Sequence, residues 1–142
     1  MAFDPELATQ AYMATLKGAA RAKSDAYFEG GYWLILAEFL VTLVANLIVL
    51  RLGWAARLSR WARSKAGPLL AAFLFAVPYL LLITIITAPY VLYTDFFREH
   101  AYGLSNQGFA EWGGEQLIFI AVDTLLAALL WMGVHAAIRH FP

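Results

Sequence analysis

Residues that could bind a metal are few in this chain. It contains three histidines, His100, His135 and His140, and no cysteine. A zinc site of the H-E-x-x-H type needs two imidazoles on one helix face with a carboxylate beside them and a further ligand beyond. His135 and His140 are separated by Ala-Ala-Ile-Arg, without an acid, and no second histidine follows His100 in register. The sequence therefore predicts no metal site and no catalytic residue in this chain.

Polar residues inside apolar segments are the other candidates for chemistry. Ionised side chains at the centre of a membrane helix cost about 2.5–3.5 kcal/mol on insertion scales, so they are usually functional or paired. We interpret five polar residues as candidates to line a shared polar or water-filled interior. The alternative is that the same groups only hold helices together by hydrogen bonds. The five residues are Glu38, Asn46, Thr84, Thr87 and Asp123.

Three apolar segments carry these residues, at about 32–52, 68–90 and 116–138. Each has the length of a transmembrane helix, which needs about 20 residues. The chain is 62% hydrophobic and 14% charged, whereas soluble domains are about half apolar and a quarter charged. Lipid must cover the surplus, and backbone groups in lipid must hydrogen-bond within helices. Pro78 and Pro89 predict a kink in the second span and its end near Pro89.

A basic connector at 53–67 follows the first span and contains no acidic residue. The positive-inside rule places it in the cytoplasm, and the N-terminus and the 93–115 connector on the opposite side. Apolar residues at i, i+4 and i+7 predict a short amphipathic helix at the membrane surface, with basic residues toward the headgroups. This helix could serve only to set the topology and anchor the chain, or it could form a specific site for a lipid or a partner. The residues of this interfacial helix are Trp54, Arg57, Arg60, Trp61 and Arg63.

The 93–115 connector is unusually rich in ionisable, aromatic and glycine residues. Thr94 or Asp95 could cap a short helical turn, and Gly103 could end it because glycine adopts positive φ. Ser105 or Asn106 could then cap the next helix. We expect the glycine pair at 113–114 to weaken or bend the entry into the third span, and Glu111 and Glu115 to lie in a solvated loop.

The stretches SDAYFEGGYW at 24–33 and FFREHAYGLSNQ at 96–107 resemble the type I CAAX prenyl proteases, which are integral-membrane zinc metalloendopeptidases, and in particular their bacterial members. In hydropathy order the resemblance covers nearly the whole chain, but it stops before the zinc motif. It implies that the matching connector residues order the loop and dock helices without taking part in catalysis. These residues are Arg98, Glu99, His100, Tyr102, Gly103 and Asn106.

The fold class predicted is all-α: a polytopic membrane protein with three transmembrane helices, an N-terminal helix beginning at Asp4-Pro5-Glu6, and the interfacial helix. The resemblance implies that 1–142 is a single membrane region like the N-terminal part of such a protease. This region would form part of the wall of an intramembrane chamber in which peptides or prenylated proteins are cleaved. Zinc is implied for the complete enzyme and not for this chain, which should be inactive alone.

The expected partners are the lipid bilayer and, if the chain is truncated, the remaining helices and catalytic domain of the protease. The formal net charge is zero, which gives no electrostatic case for nucleic acid. The expected location is a bacterial inner membrane. One alternative is a stand-alone three-span scaffold or interaction subunit without enzymatic activity. Another is a small transporter-like module that uses Asp123 as a proton site, although three spans without a repeat are few for alternating access.

Overall fold

The computed structural model describes residues 4–15 and 17–140, and this part of the chain is helical throughout apart from short turns and one loop. Contacts divide the chain into two units, residues 1–37 and 38–142. The predicted all-α membrane fold is confirmed. Its helices are α1 (Pro5–Thr15), α2 (Ala19–Arg51), α3 (Trp54–Lys65), α4 (Pro68–Val91), a π-helix (Leu92–Arg98), α5 (Glu99–Tyr102) and α6 (Phe109–His140).

The first unit contains α1 and the beginning of α2. The carboxylate of Asp4 accepts hydrogen bonds from the backbone N–H groups of Glu6 at 2.9 Å and Leu7 at 3.2 Å. These bonds cap the free donors at the helix start, as the sequence predicted. In α2, Arg21 lies 3.6 Å from Asp25 in an exposed pair one turn apart, which stabilises the helix only slightly.

Three helical stretches are long and apolar enough to cross a membrane: Ala19–Arg51, Pro68–Tyr102 and Phe109–His140. Only 11% to 17% of the most apolar window of each is buried by protein. Since apolar side chains cover most of the remaining surface, lipid must solvate these helices. Each stretch is longer than the predicted span, because a helix can continue beyond the hydrocarbon layer.

α4 ends at Val91, close to Pro89 as predicted, but the chain continues into the π-helix without a break, and the glycine pair does not interrupt α6. The helix continues past Pro89, where the N–H of Leu92 donates to the carbonyl oxygens of Ala88 and Pro89. Continuation through the π-helix accommodates the proline without a break, as local adjustments do in membrane helices. The glycine pair at 113–114 lies inside an unbroken α6, and Glu111 and Glu115 are in this helix and not in a loop.

Small residues fill the contacts in the second unit. α4 packs against both α6 and α3, and the buried residues of these three helices are alanines and one threonine. Small side chains allow close approach of helix backbones, which drives association where lipid supplies no hydrophobic force. Val49 and Ala45 are the buried residues of α2. The other buried residues are Ala62 on α3, Ala71, Ala72 and Ala76 on α4, and Thr124 and Ala128 on α6.

Candidate functional site

The connector between α4 and α6 is an ordered structure that begins as a π-helix. The Thr94 hydroxyl, with one hydrogen to donate, lies 3.2 Å from the carbonyl oxygens of both Tyr90 and Val91 and 2.6 Å from the Asp95 carboxylate. These residues lie inside continuous helix, so the prediction that Thr94 or Asp95 caps a new turn is wrong. Wider π-helical turns leave carbonyl groups that such hydroxyls can satisfy.

Gly103 ends the helix as predicted. It adopts φ 70° and ψ 28°, in the left-handed region. Its N–H donates to the carbonyl oxygen of His100 at 3.0 Å, and the next N–H, of Leu104, donates to that of Glu99 at 2.9 Å. This pair of bonds is a Schellman motif. α6 begins only at Phe109, so Ser105 and Asn106 do not cap it; the Ser105 hydroxyl instead accepts from the Gln107 N–H at 3.2 Å.

His100 links the two ends of the connector. Its Nδ1 lies 2.7 Å from the carbonyl oxygen of Phe96 and its Nε2 lies 2.8 Å from that of Gln107. A neutral imidazole has one N–H and can donate to one of these oxygens, whereas an imidazolium donates to both. With both nitrogens facing carbonyl oxygens, His100 holds the loop against the π-helix and has no lone pair directed to a metal.

Aromatic rings dock the connector on α6. The Phe96 ring packs edge-on against Phe109 at 5.4 Å between centroids, and lies 5.5 Å from Trp112 and 4.3 Å from the imidazole of His100. Such pairs each contribute about 0.5–1.5 kcal/mol beyond burial. Sequence reasoning quoted Phe96 within the 96–107 motif without giving it a role, and it missed Phe109 and Trp112, although these two are three positions apart and hence on one helix face.

The remaining connector residues predicted from the resemblance lie around this core. The guanidinium of Arg98 is 3.9 Å from the carboxylate of Glu99 and 5.3 Å from the centre of the Tyr102 ring. Asn106 is exposed in the loop. Their assignment to loop ordering and helix docking stays a prediction.

A groove of about 890 Å3 lies between α4 and α6 at the connector end of the bundle, lined mostly by apolar side chains with polar residues among them. We call it the α4–α6 groove. It brings together three of the five polar residues singled out in the sequence, Thr84, Thr87 and Asp123. Asp95, Glu115 and Gln116 add to its polar lining, and Trp112 and Phe119 to its apolar lining.

The signal for this groove was present in the sequence. Trp112, Gln116, Phe119 and Asp123 follow the spacing i, i+4, i+7 and i+11, which is one face of a helix. Asp123 is exposed toward the groove. No residue in the described part of the chain hydrogen-bonds to its carboxylate, so its solvation must come from outside this chain.

The other two polar residues of the spans lie elsewhere. The Asn46 amide donates to the carbonyl oxygen of Thr42 at 2.7 Å and accepts from the Tyr79 hydroxyl at 2.5 Å, which joins α2 to α4. Glu38 is exposed and interacts electrostatically with the hydroxyl of Tyr90. Asp95 and Arg98 also interact electrostatically with the Tyr90 hydroxyl. A lining role for Glu38 and Asn46 stays a prediction.

The helix predicted in the 53–67 connector forms, as α3, and its place at the membrane surface stays a prediction. A turn at Gly53, with φ 69°, separates it from α2. Trp54 is half-buried, whereas Trp61 is exposed for 45% of its surface. Arg57, Arg60 and Arg63 are all exposed.

Zinc does not fit the residues of this chain. No group of three or more potential ligands comes together anywhere in residues 4–15 and 17–140. His100 is occupied by two carbonyl oxygens, and His135 lines a different groove, between α3, α4 and α6. These residues therefore support no catalytic step through a metal.

The family of the chain follows from its match to a family model. The model described as CAAX prenyl protease N-terminal, five membrane helices, matches residues 9–142. The chain belongs to this family. Family membership agrees with the resemblance of the two motifs at 24–33 and 96–107. The described residues contain three candidate spans, whereas the family model is described with five membrane helices. Neither a curated protein nor a solved structure matches the chain.

Proposed function

We propose that this chain forms part of the membrane wall of a CAAX-protease-type zinc metalloendopeptidase. The α4–α6 groove would face a water-filled chamber in which peptides or prenylated proteins are cleaved. The chain contributes lining and connector docking, and its partners are the remaining helices and the zinc-binding domain of the protease. Hydrolysis itself belongs to that domain.

The observation that carries the proposal is the exposed carboxylate of Asp123 in the α4–α6 groove. A carboxylate in a membrane helix needs water, a partner or protonation to avoid a large cost. Thr84 and Thr87 face it across the groove on α4, and Asp95, Glu115 and Gln116 extend the polar lining toward the connector. Polar residues that recur along this groove from the connector to Asp123 support a water-filled chamber.

The second candidate is a scaffold or interaction subunit without enzymatic activity. The observation that favours it is the exposure of two carboxylates, Glu38 and Asp123, on different helices within the spans. A polar side chain of another subunit could satisfy each of them. Reading the gene beyond codon 142 separates the two: further spans and an H-E-x-x-H helix support the protease, and a stop codon supports the scaffold.

Cysteine accessibility tests the chamber. The chain has no cysteine, so single-cysteine variants need no further change. Asp123→Cys and Thr87→Cys should react with a membrane-impermeant thiol reagent, added to the full chain in liposomes and on both sides. Ile85→Cys is the matched control, since Ile85 neighbours Thr84, is 70% exposed and does not line the groove. If the two groove cysteines react as slowly as the control, the chamber proposal fails.

We also propose that the membrane is a bacterial inner membrane, with the 53–67 connector in the cytoplasm and the N-terminus and 93–115 connector on the opposite side. α3 contains several basic residues and no acidic residue, which supports this orientation through the positive-inside rule. In intact cells, Asn106→Cys should be labelled from outside and Ser64→Cys only after permeabilisation. Labelling of Ser64→Cys in intact cells would contradict the orientation.

A further inference from the structure

A second groove lies at the other end of the bundle, where α3, the start of α4 and the end of α6 meet. Its volume is about 570 Å3. Arg63 from α3 and Arg139 from α6 provide its cationic side, with the His135 imidazole and the Ser59 hydroxyl beside them. Elements far apart in sequence thus bring two guanidinium groups to one groove, which we call the basic groove.

The charge of the basic groove is uncompensated. None of its lining residues is acidic, and the sequence contains no Asp or Glu between positions 39 and 94 or between 124 and 140. No ion pair joins Arg63 or Arg139 to an acid in the part of the chain that the structure describes. Guanidinium groups bind phosphate through paired, charge-assisted hydrogen bonds. The matching ligand group is therefore a phosphate or another oxyanion.

An apolar groove of about 470 Å3 adjoins the basic groove. Phe75 and Trp131 line both. Beyond them, the lining is formed by aliphatic and aromatic side chains from α2, α3, α4 and α6, such as Leu50 and Leu80. A ligand that follows both grooves must carry an anionic head and an apolar tail.

The position of the two grooves matches the depth of a phospholipid. The basic groove lies where α4 begins at Pro68 and α6 ends at His140, which is the interface end of both spans. The apolar groove extends from there along the helices, toward Tyr79 on α4 and Ala127 on α6. Basic sites between membrane helices at this level are suited to anionic lipid headgroups.

We propose that these grooves hold one molecule of an anionic phospholipid. Its phosphate is bound by Arg63 and Arg139, with His135 and the Ser59 hydroxyl as further donors. An acyl chain lies along Phe75 and Trp131. The site joins α3 to the ends of α4 and α6, and it is separate from the α4–α6 groove.

Lipid retention by the full chain in detergent, measured by native mass spectrometry, tests this site. The probe is phosphatidylglycerol, with phosphatidylcholine and inorganic phosphate as comparison ligands. One molecule of phosphatidylglycerol should stay bound to each protein chain. The double variant Arg63→Gln, Arg139→Gln should weaken it by about tenfold or more, because two sets of charge-assisted hydrogen bonds are lost.

The matched control is the double variant Arg57→Gln, Arg60→Gln. It also removes two positive charges, both from α3, at residues that do not line the basic groove. It should change phosphatidylglycerol retention by less than about threefold, since it reduces only the general electrostatic attraction between the protein and the anionic lipid. Equal weakening by both double variants would overturn the proposal. So would equal retention of phosphatidylcholine, or binding of inorganic phosphate that excludes the lipid.

A second measurement does not depend on folding of the arginine variants. Phosphatidylglycerol with brominated acyl chains should quench tryptophan fluorescence of the unmodified protein on binding. Quenching by the bound lipid copy should saturate as the lipid concentration rises. Trp131→Phe should remove this saturable component, whereas Trp33→Phe, in the first unit, should leave it unchanged. Unchanged saturable quenching in Trp131→Phe would show that the lipid lies elsewhere.

Discussion

Replacing His100 by alanine should loosen the connector while leaving the spans intact. The imidazole has two carbonyl contacts, to Phe96 at 2.7 Å and to Gln107 at 2.8 Å, and its ring lies 4.3 Å from the Phe96 ring. The variant removes all three contacts at once. Phe96 and Gln107 belong to different parts of the connector, so the loop loses its side-chain link to the π-helix.

The expected cost can be worked out from these contacts. One hydrogen bond contributes about 0.5–1.5 kcal/mol net, and the ring pair contributes about as much again. We therefore expect the free energy of local opening to fall by about 2 kcal/mol, which corresponds to about 30-fold faster exchange of protected amides. Hydrogen exchange at the N–H groups of Gly103, Leu104 and Gln107, which donate within the connector, reports this opening.

Asn106→Ala is the matched control, because Asn106 lies in the same loop and is exposed. It should change the exchange rates of these amides by less than about twofold, as surface substitutions usually do. If His100→Ala and Asn106→Ala accelerate exchange equally, or if neither does, the reasoning that His100 holds the connector is refuted. Faster exchange across all three spans would also contradict it.

Two further predictions concern single residues of the fold, and a third concerns zinc. Gly103→Ala should lose about 1–2 kcal/mol of stability, seen as a lower melting temperature in detergent, because its left-handed φ is strained for alanine; Gly108→Ala should not, since an added Cβ meets no atom within 4 Å. Tyr79→Phe should lose about 0.6–1.7 kcal/mol through the bond to Asn46, whereas the exposed Tyr93→Phe should lose nothing measurable by the same melting assay. The isolated chain with added zinc should hydrolyse no peptide; chelator-sensitive turnover in a peptidase assay would contradict this.

The parts of the fold that follow from local rules were predictable. Each span needs only a long apolar run, because lipid forces any such run into a helix. The end of the helix at Gly103 needs only a glycine that tolerates positive φ, and the start at Asp4 needs only a capping carboxylate. α3 follows from the helical spacing of Trp54, Leu58 and Trp61.

The parts that depend on neighbouring helices were not predictable. Pro89 and the glycine pair at 113–114 weaken helices locally, by about 1 kcal/mol for each glycine. In the structure, the Phe96 ring packs on Phe109 and Trp112 and holds the start of α6 against the π-helix. The sequence contains all of these residues, but their pairing depends on which helices are adjacent.

The candidate site shows the same division. Asp123, Thr84 and Thr87 were recognised by their polarity alone, and the structure brings them into one groove. Asn46 has the same polarity but bonds to Tyr79 outside this groove. The level of each residue along its span could be predicted from its position in the sequence, whereas the direction that each residue faces depends on the rotation of its helix.

Water access at Asp123 tests the central claim most directly. A nitroxide spin label attached to Asp123→Cys in liposomes reports collisions with a water-soluble nickel complex and with oxygen, which concentrates in lipid. If the α4–α6 groove opens into a water-filled chamber, the nickel complex should relax the label at Asp123 more strongly than oxygen, and the label at Ile85→Cys should show the reverse. Oxygen-dominated relaxation at both positions would mean that Asp123 faces lipid, and that the chain does not form chamber wall.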